Sequence, residues 1–225
     1  MSRDYFGNLP VAAGMGFARD VLLLDDCEGS FTWTPTGTGG DDVHEYLAAA
    51  AYAGTAGLHL KTRTTAAAED DWLQVTKALS YPESGLLVLR AKIAMPAQAN
   101  LKSVSLVLSE AAGTTCYLAQ AKWTPGTPKV EYVDAAGDLI QIPALANKPL
   151  DTAFSTIELA IDCRAHQYLS LAINGLRADL AGLGLYNAGA ETYRYSAVVL
   201  KIVASAGAPA ELYASHIYVG ENLEA

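Results

Sequence analysis

The residue types used in nucleophilic or metal-dependent hydrolysis are present in the sequence, but they lack the spacing that such chemistry requires. No Gly-x-Ser-x-Gly elbow occurs, and the four histidines, at positions 44, 59, 166 and 216, form no His-Glu-x-x-His motif. A glycosidase needs two carboxylates that face each other across the scissile bond. The spacing of the carboxylates in the sequence does not identify such a pair among Glu45, Glu69, Asp70, Asp71, Glu158 and Asp162. We therefore predict that the protein is not an enzyme.

Aromatic side chains next to polar ones suit sugar binding, since a flat ring packs against a pyranose while polar neighbours bond its hydroxyls. The 186–195 loop offers Tyr186, Tyr193 and Tyr195 in such a setting, and we predict that they bind ligand. The same tyrosines could instead lie at the edges of a sandwich with their hydroxyls in water. Three tryptophans either join them or fill the core: Trp33, Trp72 and Trp123.

The composition narrows the class of protein. With 15 Lys and Arg against 24 Asp and Glu, the 225-residue chain has a formal charge of −9, which argues against a nucleic-acid partner. At 51% hydrophobic and 17% charged residues, the chain is expected to fold. No apolar run is long enough for a membrane span or a signal peptide, so we expect synthesis in the cytoplasm and no membrane partner. Cys27, Cys116 and Cys163 show no metal-binding spacing and are interpreted as small apolar residues.

The elements that must position these residues are strands. Apolar segments of strand length recur between turn signals from residue 19 onward, which predicts an all-β, antiparallel sandwich with one domain over residues 19–225. The clearest alternation places Ile157, Leu159 and Ile161 on one face. Asn174-Gly175 predicts a type I′ turn, because both residues tolerate a positive φ. The Ala-rich stretch 41–53 is predicted to be strand or irregular.

Residues 1–18 show neither the period of a strand nor that of a helix, and they are predicted to form an extended N-terminal arm. The arm carries Tyr5, Phe6, Leu9 and Phe17, whose apolar surface needs a cover. We predict that they dock on a neighbouring subunit. The alternative, in which the arm packs on its own domain, stays open.

The segment 154–162 followed by 167–177 resembles the paired strands of concanavalin A-like, laminin G-like jelly rolls. In those domains one strand ends in Asp, as here at Asp162, and the next ends in Asn-Gly, as here at Asn174-Gly175. The segments 22–29 and 214–220 are similar to the first and last strands of carbohydrate-binding modules and of related bacteriophage virion proteins. The resemblance implies a jelly-roll β-sandwich.

The same resemblance implies a structural calcium between acidic residues of the first strand and an Asp of the last. Asp25, Asp26 and Glu28 would supply the hard oxygen ligands of the first half. The last strand carries Ser215-His216 in place of an acidic pair. The alternative is that the acidic residues end a strand and accept backbone hydrogen bonds. No other cofactor is predicted.

The leading functional hypothesis is a non-enzymatic structural protein of a phage virion, either a capsid-decoration or a tail-associated subunit. It would be made in the host cytoplasm and would bind other virion proteins and itself, with a trimer as the expected oligomer. The alternative is a carbohydrate-binding, lectin-like domain. A glycan hydrolase ranks third.

Overall fold

The computed structural model describes residues 18–65, 67–82, 85–127, 129–146 and 152–222. Within these ranges sixteen strands form two antiparallel eight-stranded sheets, and 58% strand against 5% helix confirms the all-β prediction. No helix in the described part of the chain has the length and hydropathy of a membrane span. The predicted docking residues of the arm lie outside the described residues: Tyr5, Phe6, Leu9 and Phe17.

The first sheet has the spatial order β13-β12-β11-β6-β16-β4-β3, and β1 also pairs with β16. Its strands, numbered in chain order, are β1 (Ala18–Asp25), β3 (Val43–Leu47), β4 (Gly57–Lys61), β6 (Leu86–Ala94), β11 (Ser155–Asp162), β12 (Gln167–Ile173), β13 (Leu176–Asp179) and β16 (Glu211–Asn222). The first and last strands of the described residues are therefore neighbours.

The second sheet has the order β10-β9-β8-β7-β15-β5-β2, and β14 pairs with β8. Its strands are β2 (Thr34–Gly37), β5 (Trp72–Leu79), β7 (Leu101–Ala112), β8 (Cys116–Thr124), β9 (Lys129–Val133), β10 (Leu139–Gln141), β14 (Tyr186–Gly189) and β15 (Arg194–Ala204). Three short 3₁₀ turns complete the described elements: Ala48–Ala50, Gln98–Asn100 and Pro143–Leu145.

The core lies between the two sheets and is filled by every second residue of the central strands. Leu159 on β11 pairs with Leu89 on β6, and both are at most 1% exposed. Leu106 and Leu200 pair across β7 and β15 in the second sheet and are fully buried. The predicted inward face of the 154–162 strand is confirmed, and each sheet consequently presents its alternate residues on an outer face.

Turn chemistry explains several connections between the strands. Asn174 and Gly175 have φ values of 49° and 83°, which confirms the predicted type I′ turn. The stretch 41–53 forms β3 and the Ala48–Ala50 turn, so its alanines build no α-helix. The prediction of a loop over 186–195 is wrong for Tyr186–Gly189. These residues form strand β14, whose backbone pairs with Cys116, Tyr117 and Leu118 of β8.

Candidate functional site

The outer face of the second sheet consists of the residues that alternate with core residues along β5, β15, β7, β8 and β9. On β5, buried Leu73 and Val75 alternate with half-buried Trp72 and Gln74, which point outward. The same alternation on β8 directs the even-numbered positions of 116–124 outward. This face therefore carries polar and aromatic side chains over a continuous sheet.

One cross-strand row on this face brings together hydrogen-bonding side chains from five strands. Backbone pairing joins them in the order Gln74, Lys201, Ser105, Lys122 and Glu131. In the next row, the Nε2 of Gln120 donates a hydrogen bond to the Oγ of Ser105 at 3.0 Å. Within the described residues, the side chains of Gln74 and Lys122 have no hydrogen bond and no ion pair. The row therefore offers donors and acceptors that the protein itself leaves unused.

Trp72 lies at one end of this face and is the tryptophan that reaches the surface. Trp33 and Trp123 are each 3% exposed and belong to the core, as one of the two sequence interpretations holds. Trp72 is half-buried, and the Nζ of Lys201 lies 4.5 Å from the centroid of its ring. This cation-π contact fixes the ring beside the polar row.

Two of the three tyrosines predicted to bind ligand lie on the same outer face, at the end opposite Trp72. Tyr186 pairs with Leu118, and Tyr195 pairs with Ala111, so both rings point outward from the second sheet. The hydroxyl of Tyr195 donates to Glu191 Oε1 at 3.3 Å. Tyr193 is 75% exposed and precedes β15, so it is not part of the sheet surface. The structure therefore separates Tyr193 from the other two.

Gly137 explains how the ring of Tyr186 is placed. This glycine lies in the turn between β9 and β10 with a φ of 93°, a backbone conformation that glycine adopts without strain. A Cβ atom at this position would lie 2.9 Å from the Tyr186 ring. The ring therefore packs directly on the backbone of the turn.

The outer face of the first sheet carries more charge, and its charged groups bind one another. Glu158 Oε2 accepts hydrogen bonds from Arg90 Nη2 at 2.7 Å and Arg90 Nε at 3.2 Å, and its Oε1 accepts one from Arg177 Nη2 at 2.8 Å. The Glu158 side chain is only 7% exposed. Hydrogen bonds between oppositely charged groups are among the stronger polar interactions in proteins, so this cluster serves the fold.

A second cluster on the same face surrounds His59. Its Nε2 lies 2.8 Å from Glu211 Oε1 and its Nδ1 lies 3.3 Å from Glu45 Oε1. The hydroxyl of Tyr213 donates to the same oxygen of Glu211 at 3.4 Å. Burial raises the pKa of Tyr213, and the nearby Glu211 carboxylate raises it further. The side chain of His59 therefore links β3, β4 and β16.

The acidic residues expected to hold calcium are engaged by protein donors. Asp25 accepts hydrogen bonds from the Cys27 backbone N–H at 2.8 Å, Trp33 Nε1 at 2.6 Å and the Tyr46 hydroxyl at 2.6 Å. Asp26 accepts one from the Glu28 backbone N–H at 3.1 Å. Glu28 turns toward Thr55 and accepts hydrogen bonds from its backbone and hydroxyl. Across the described ranges, no three His, Cys, Asp or Glu side chains are grouped to hold a metal ion.

A cysteine, a histidine and a glutamate meet at one end of the core, and their spacing in the sequence did not indicate a cluster. Glu110 is fully buried; its Oε1 lies 2.5 Å from His166 Nδ1 and its Oε2 accepts a hydrogen bond from the Tyr81 hydroxyl at 3.5 Å. Burial raises the pKa of Glu110. Burial also raises the pKa of the Cys163 thiol, which contacts Glu110. A protonated, buried thiol cannot serve as a nucleophile.

No protein-family model matches the chain, and no curated protein matches its sequence. Solved structures match its fold. The alginate lyase vAL-1 from Chlorella virus is 9% identical with a TM-score of 0.55, and the match covers 91% of this chain and 100% of that chain. A Bacillus subtilis protein with a galectin-like fold is 9% identical with a TM-score of 0.55, covering 92% and 98%. The cellulose-induced protein Cip1 is 12% identical with a TM-score of 0.52, covering 88% and 96%.

The fold is a concanavalin A-like jelly roll. The sequence resemblance is therefore confirmed at the level of the sandwich and its two antiparallel sheets. These likenesses establish the architecture, and the side chains on the outer faces must supply the argument about function.

Sequence reasoning missed the polar row of this jelly roll. The segments 72–79, 116–123 and 198–203 were each predictable as strands, and their alternation gives the outward positions. What joins Lys201, Ser105 and Lys122 is strand pairing over sequence separations of 96 and 17 positions. The sequence does show polar residues at alternate positions of the three predicted strands. These residues form one site only because the strands are neighbours in the sheet.

Proposed function

We propose that the protein is a carbohydrate-binding domain that holds a glycan against the outer face of the second sheet. The observation that carries this proposal is the combination, on one face, of Trp72 with polar side chains that have no partner in the described part of the chain, Gln74 and Lys122. Sugar rings offer an apolar face for an aromatic ring and hydroxyls for such polar groups.

The two tyrosines at the far end of the face support the same proposal. Trp72 lies in the same cross-strand row as Ser103 of β7, and Tyr195 lies in the same row as Ala111 of β7. These two β7 residues are eight positions apart, which corresponds to about 26 Å along an extended strand. Between these ends the floor contains small side chains such as Ser105 and Ser109, which are about 5% exposed. A glycan of several sugar units could therefore contact aromatic rings at both ends.

The charges on this face favour binding over hydrolysis. A two-carboxylate glycosidase needs an acid and a second carboxylate on either side of the scissile bond. Among the described strand residues that point outward from the second sheet, Glu131 is the one carboxylate. The proposed role is therefore non-catalytic.

The phage-virion role expected from the sequence, with its partners and its trimer, stays a prediction. None of the three solved structures named above is described as a virion structural component. The carbohydrate-binding alternative has the better support, because it uses residues that the fold brings together.

The proposal is tested by comparing Trp72→Ala with Tyr52→Ala. Tyr52 is a matched control, because it is 50% exposed at the outer face of the first sheet and has the Nζ of Lys92 4.4 Å from its ring centroid. Glycan-array screening identifies a ligand for the wild type, and calorimetry then measures the affinity of each variant. We expect Trp72→Ala to weaken binding on the order of thirtyfold, as for a central aromatic contact, and Tyr52→Ala to leave it unchanged.

Two outcomes would overturn the proposal. One is the absence of binding to every glycan on an array that includes both neutral and anionic polymers. The other is equal loss of affinity in the two variants, which would show that the second sheet is not the binding surface. Circular dichroism and thermal unfolding of both variants establish that each remains folded.

A further inference from the structure

The outer face of the second sheet is positively charged on a protein that is strongly negative overall. Its outward-pointing strand residues include three lysines, Lys122, Lys129 and Lys201, against the single carboxylate of Glu131. The described outer positions of the first sheet carry four cations, Lys61, Arg90, Lys92 and Arg177, against five carboxylates, Glu45, Glu158, Asp162, Asp179 and Glu211. An anion approaching this acidic molecule is therefore attracted to one face.

Two of these lysines are placed to contact one extended ligand. Lys201 and Lys122 both pair with Ser105, from the two sides of β7, and so lie in the same cross-strand row. Neighbouring strands are about 4.8 Å apart, which puts the two backbones about 10 Å apart. A glycan that runs along β7 would therefore have one of these lysines on each side. Ser105, which lies between them, is 5% exposed and leaves the space above the row open.

The ammonium groups in this row are not neutralised within the protein. The side chain of Lys122 has neither a hydrogen bond nor an ion pair in the described part of the chain. Glu131 pairs with Lys122 across β8 and β9, but their charged atoms form no ion pair within 4.0 Å. Lys201 lies over the ring of Trp72, a contact that retains its full charge. By contrast, Arg90 and Arg177 in the first sheet share the carboxylate of Glu158.

We propose that the glycan bound by the second sheet is anionic, with carboxylate or sulfate groups that contact Lys122 and Lys201. This inference rests on the proposed function and specifies its ligand class. Trp72 would pack against a sugar ring while the ammonium of Lys201 beside it binds the acidic substituent of that ring or of the next. Lys122 would bind an acidic group from the opposite side of β7, so that a glycan running along β7 from Trp72 toward Tyr195 contacts both lysines.

The experiment compares three oligosaccharides of similar length: an oligogalacturonate, a sulfated dextran and a neutral mixed-linked β-glucan. Calorimetry measures the dissociation constant of each at low and at high sodium chloride concentration. We expect one or both anionic probes to bind more tightly than the neutral glucan, and salt to weaken the binding because it screens the lysines. The two anionic probes distinguish carboxylate recognition from sulfate recognition.

Three lysine variants separate the proposed contact from general electrostatics. We expect Lys122→Gln and Lys201→Gln each to weaken binding of the anionic probe on the order of tenfold, the scale of one charge-assisted hydrogen bond. Lys61→Gln removes the same charge from the outer face of the first sheet, where Lys61 pairs with Val43 and Glu211. This control should leave the affinity nearly unchanged. All three lysines are at the surface, so the variants should retain the wild-type melting temperature.

Equally tight, salt-independent binding of the neutral glucan, with no effect of Lys122→Gln or Lys201→Gln, would overturn the anionic class and leave glycan binding intact. An equal effect of Lys61→Gln would also overturn it, because net charge alone would then explain the affinity. Failure of all three probes to bind would overturn this inference, and failure of the wider array would overturn the proposed function with it.

Discussion

The two outer faces of this sandwich differ in how their polar side chains are used, although the same alternation of residues builds both. On the first sheet, Glu158 accepts hydrogen bonds from Arg90 and Arg177, and it is almost completely buried by them. On the second sheet, Gln74 and Lys122 have no such partner among the described residues. A polar face is therefore a candidate binding surface when its hydrogen-bonding side chains have no partner within the protein. The number of charged residues on a face does not by itself indicate a binding surface.

The aromatic residues of the two faces repeat this contrast. Lys92 lies over Tyr52 and Lys201 lies over Trp72 at nearly equal distances, 4.4 Å and 4.5 Å. The ammonium of Lys92 also donates a hydrogen bond to the hydroxyl of Thr156 at 2.6 Å, whereas the ammonium of Lys201 has no hydrogen bond within the described residues. The first pair belongs to a closed structural cluster, and the second retains donors for a ligand.

The largest expected effect concerns the core that both faces share. Leu159→Ala removes a side chain that is 1% exposed and lies beside Glu158 on the same strand. We expect it to lower the free energy of unfolding by about 2–5 kcal/mol, through lost burial and the cavity that remains. Urea unfolding measures this change. A loss below about 0.5 kcal/mol, typical of surface positions, would contradict the assigned inner face.

The next effect contrasts one carboxylate from each outer face. Glu158→Ala leaves two guanidinium groups without their acceptor, and we expect a loss of about 1–2 kcal/mol of stability, reduced from the fully buried case because Arg177 is half-exposed. Glu131→Ala on the second face should change stability by less than about 0.5 kcal/mol. Chemical unfolding of both variants tests the comparison, and equal losses would remove the distinction between a closed and an open face.

A pH-dependent effect is expected for Glu110, a carboxylate that points into the core instead of outward. Burial raises its pKa, so the folded protein holds this proton more tightly than the unfolded chain does. The contribution of Glu110 to stability is therefore present below the unfolded carboxyl pKa, about 4.3, and is lost as the pH rises through the raised value.

Glu110→Gln isolates that contribution, because the amide does not titrate. The free energy of unfolding of the wild type, relative to the variant, should fall between about pH 4 and the raised pKa of the folded state. Urea unfolding at a series of pH values measures the difference. A constant or rising difference would show that the interaction with His166 outweighs burial.

The smallest expected effect concerns the far end of the proposed binding face. Tyr195→Ala should weaken glycan binding by about threefold to tenfold, since a peripheral aromatic contact contributes on the order of 1 kcal/mol. Tyr193→Ala provides the control, because Tyr193 lies off the sheet and is 75% exposed. Calorimetry compares the two affinities. A larger loss for Tyr193→Ala would place the ligand over the preceding loop instead of the sheet.

The fold class and much of the strand pattern could be predicted from the amino-acid sequence. Alternation of Ile157, Leu159 and Ile161 fixes which side of that strand is buried, because successive side chains point to opposite faces. Asn174-Gly175 fixes a tight turn through the positive φ that both residues tolerate. The short strand β14 escaped prediction because its residues, Tyr186–Gly189, are rich in turn formers and pair only with β8.

The outward residues that become neighbours could be identified only from the pairing of the strands in the folded protein. Alternation assigns Lys201 and Lys122 to the outside of their strands, but strand pairing places both beside Ser105. The same pairing brings Arg90 opposite Glu158 on β6 and β11, 68 positions apart in the chain. The periodicity of a strand specifies a side and not a partner, and a side chain is free to bind a ligand only when its neighbours do not satisfy it.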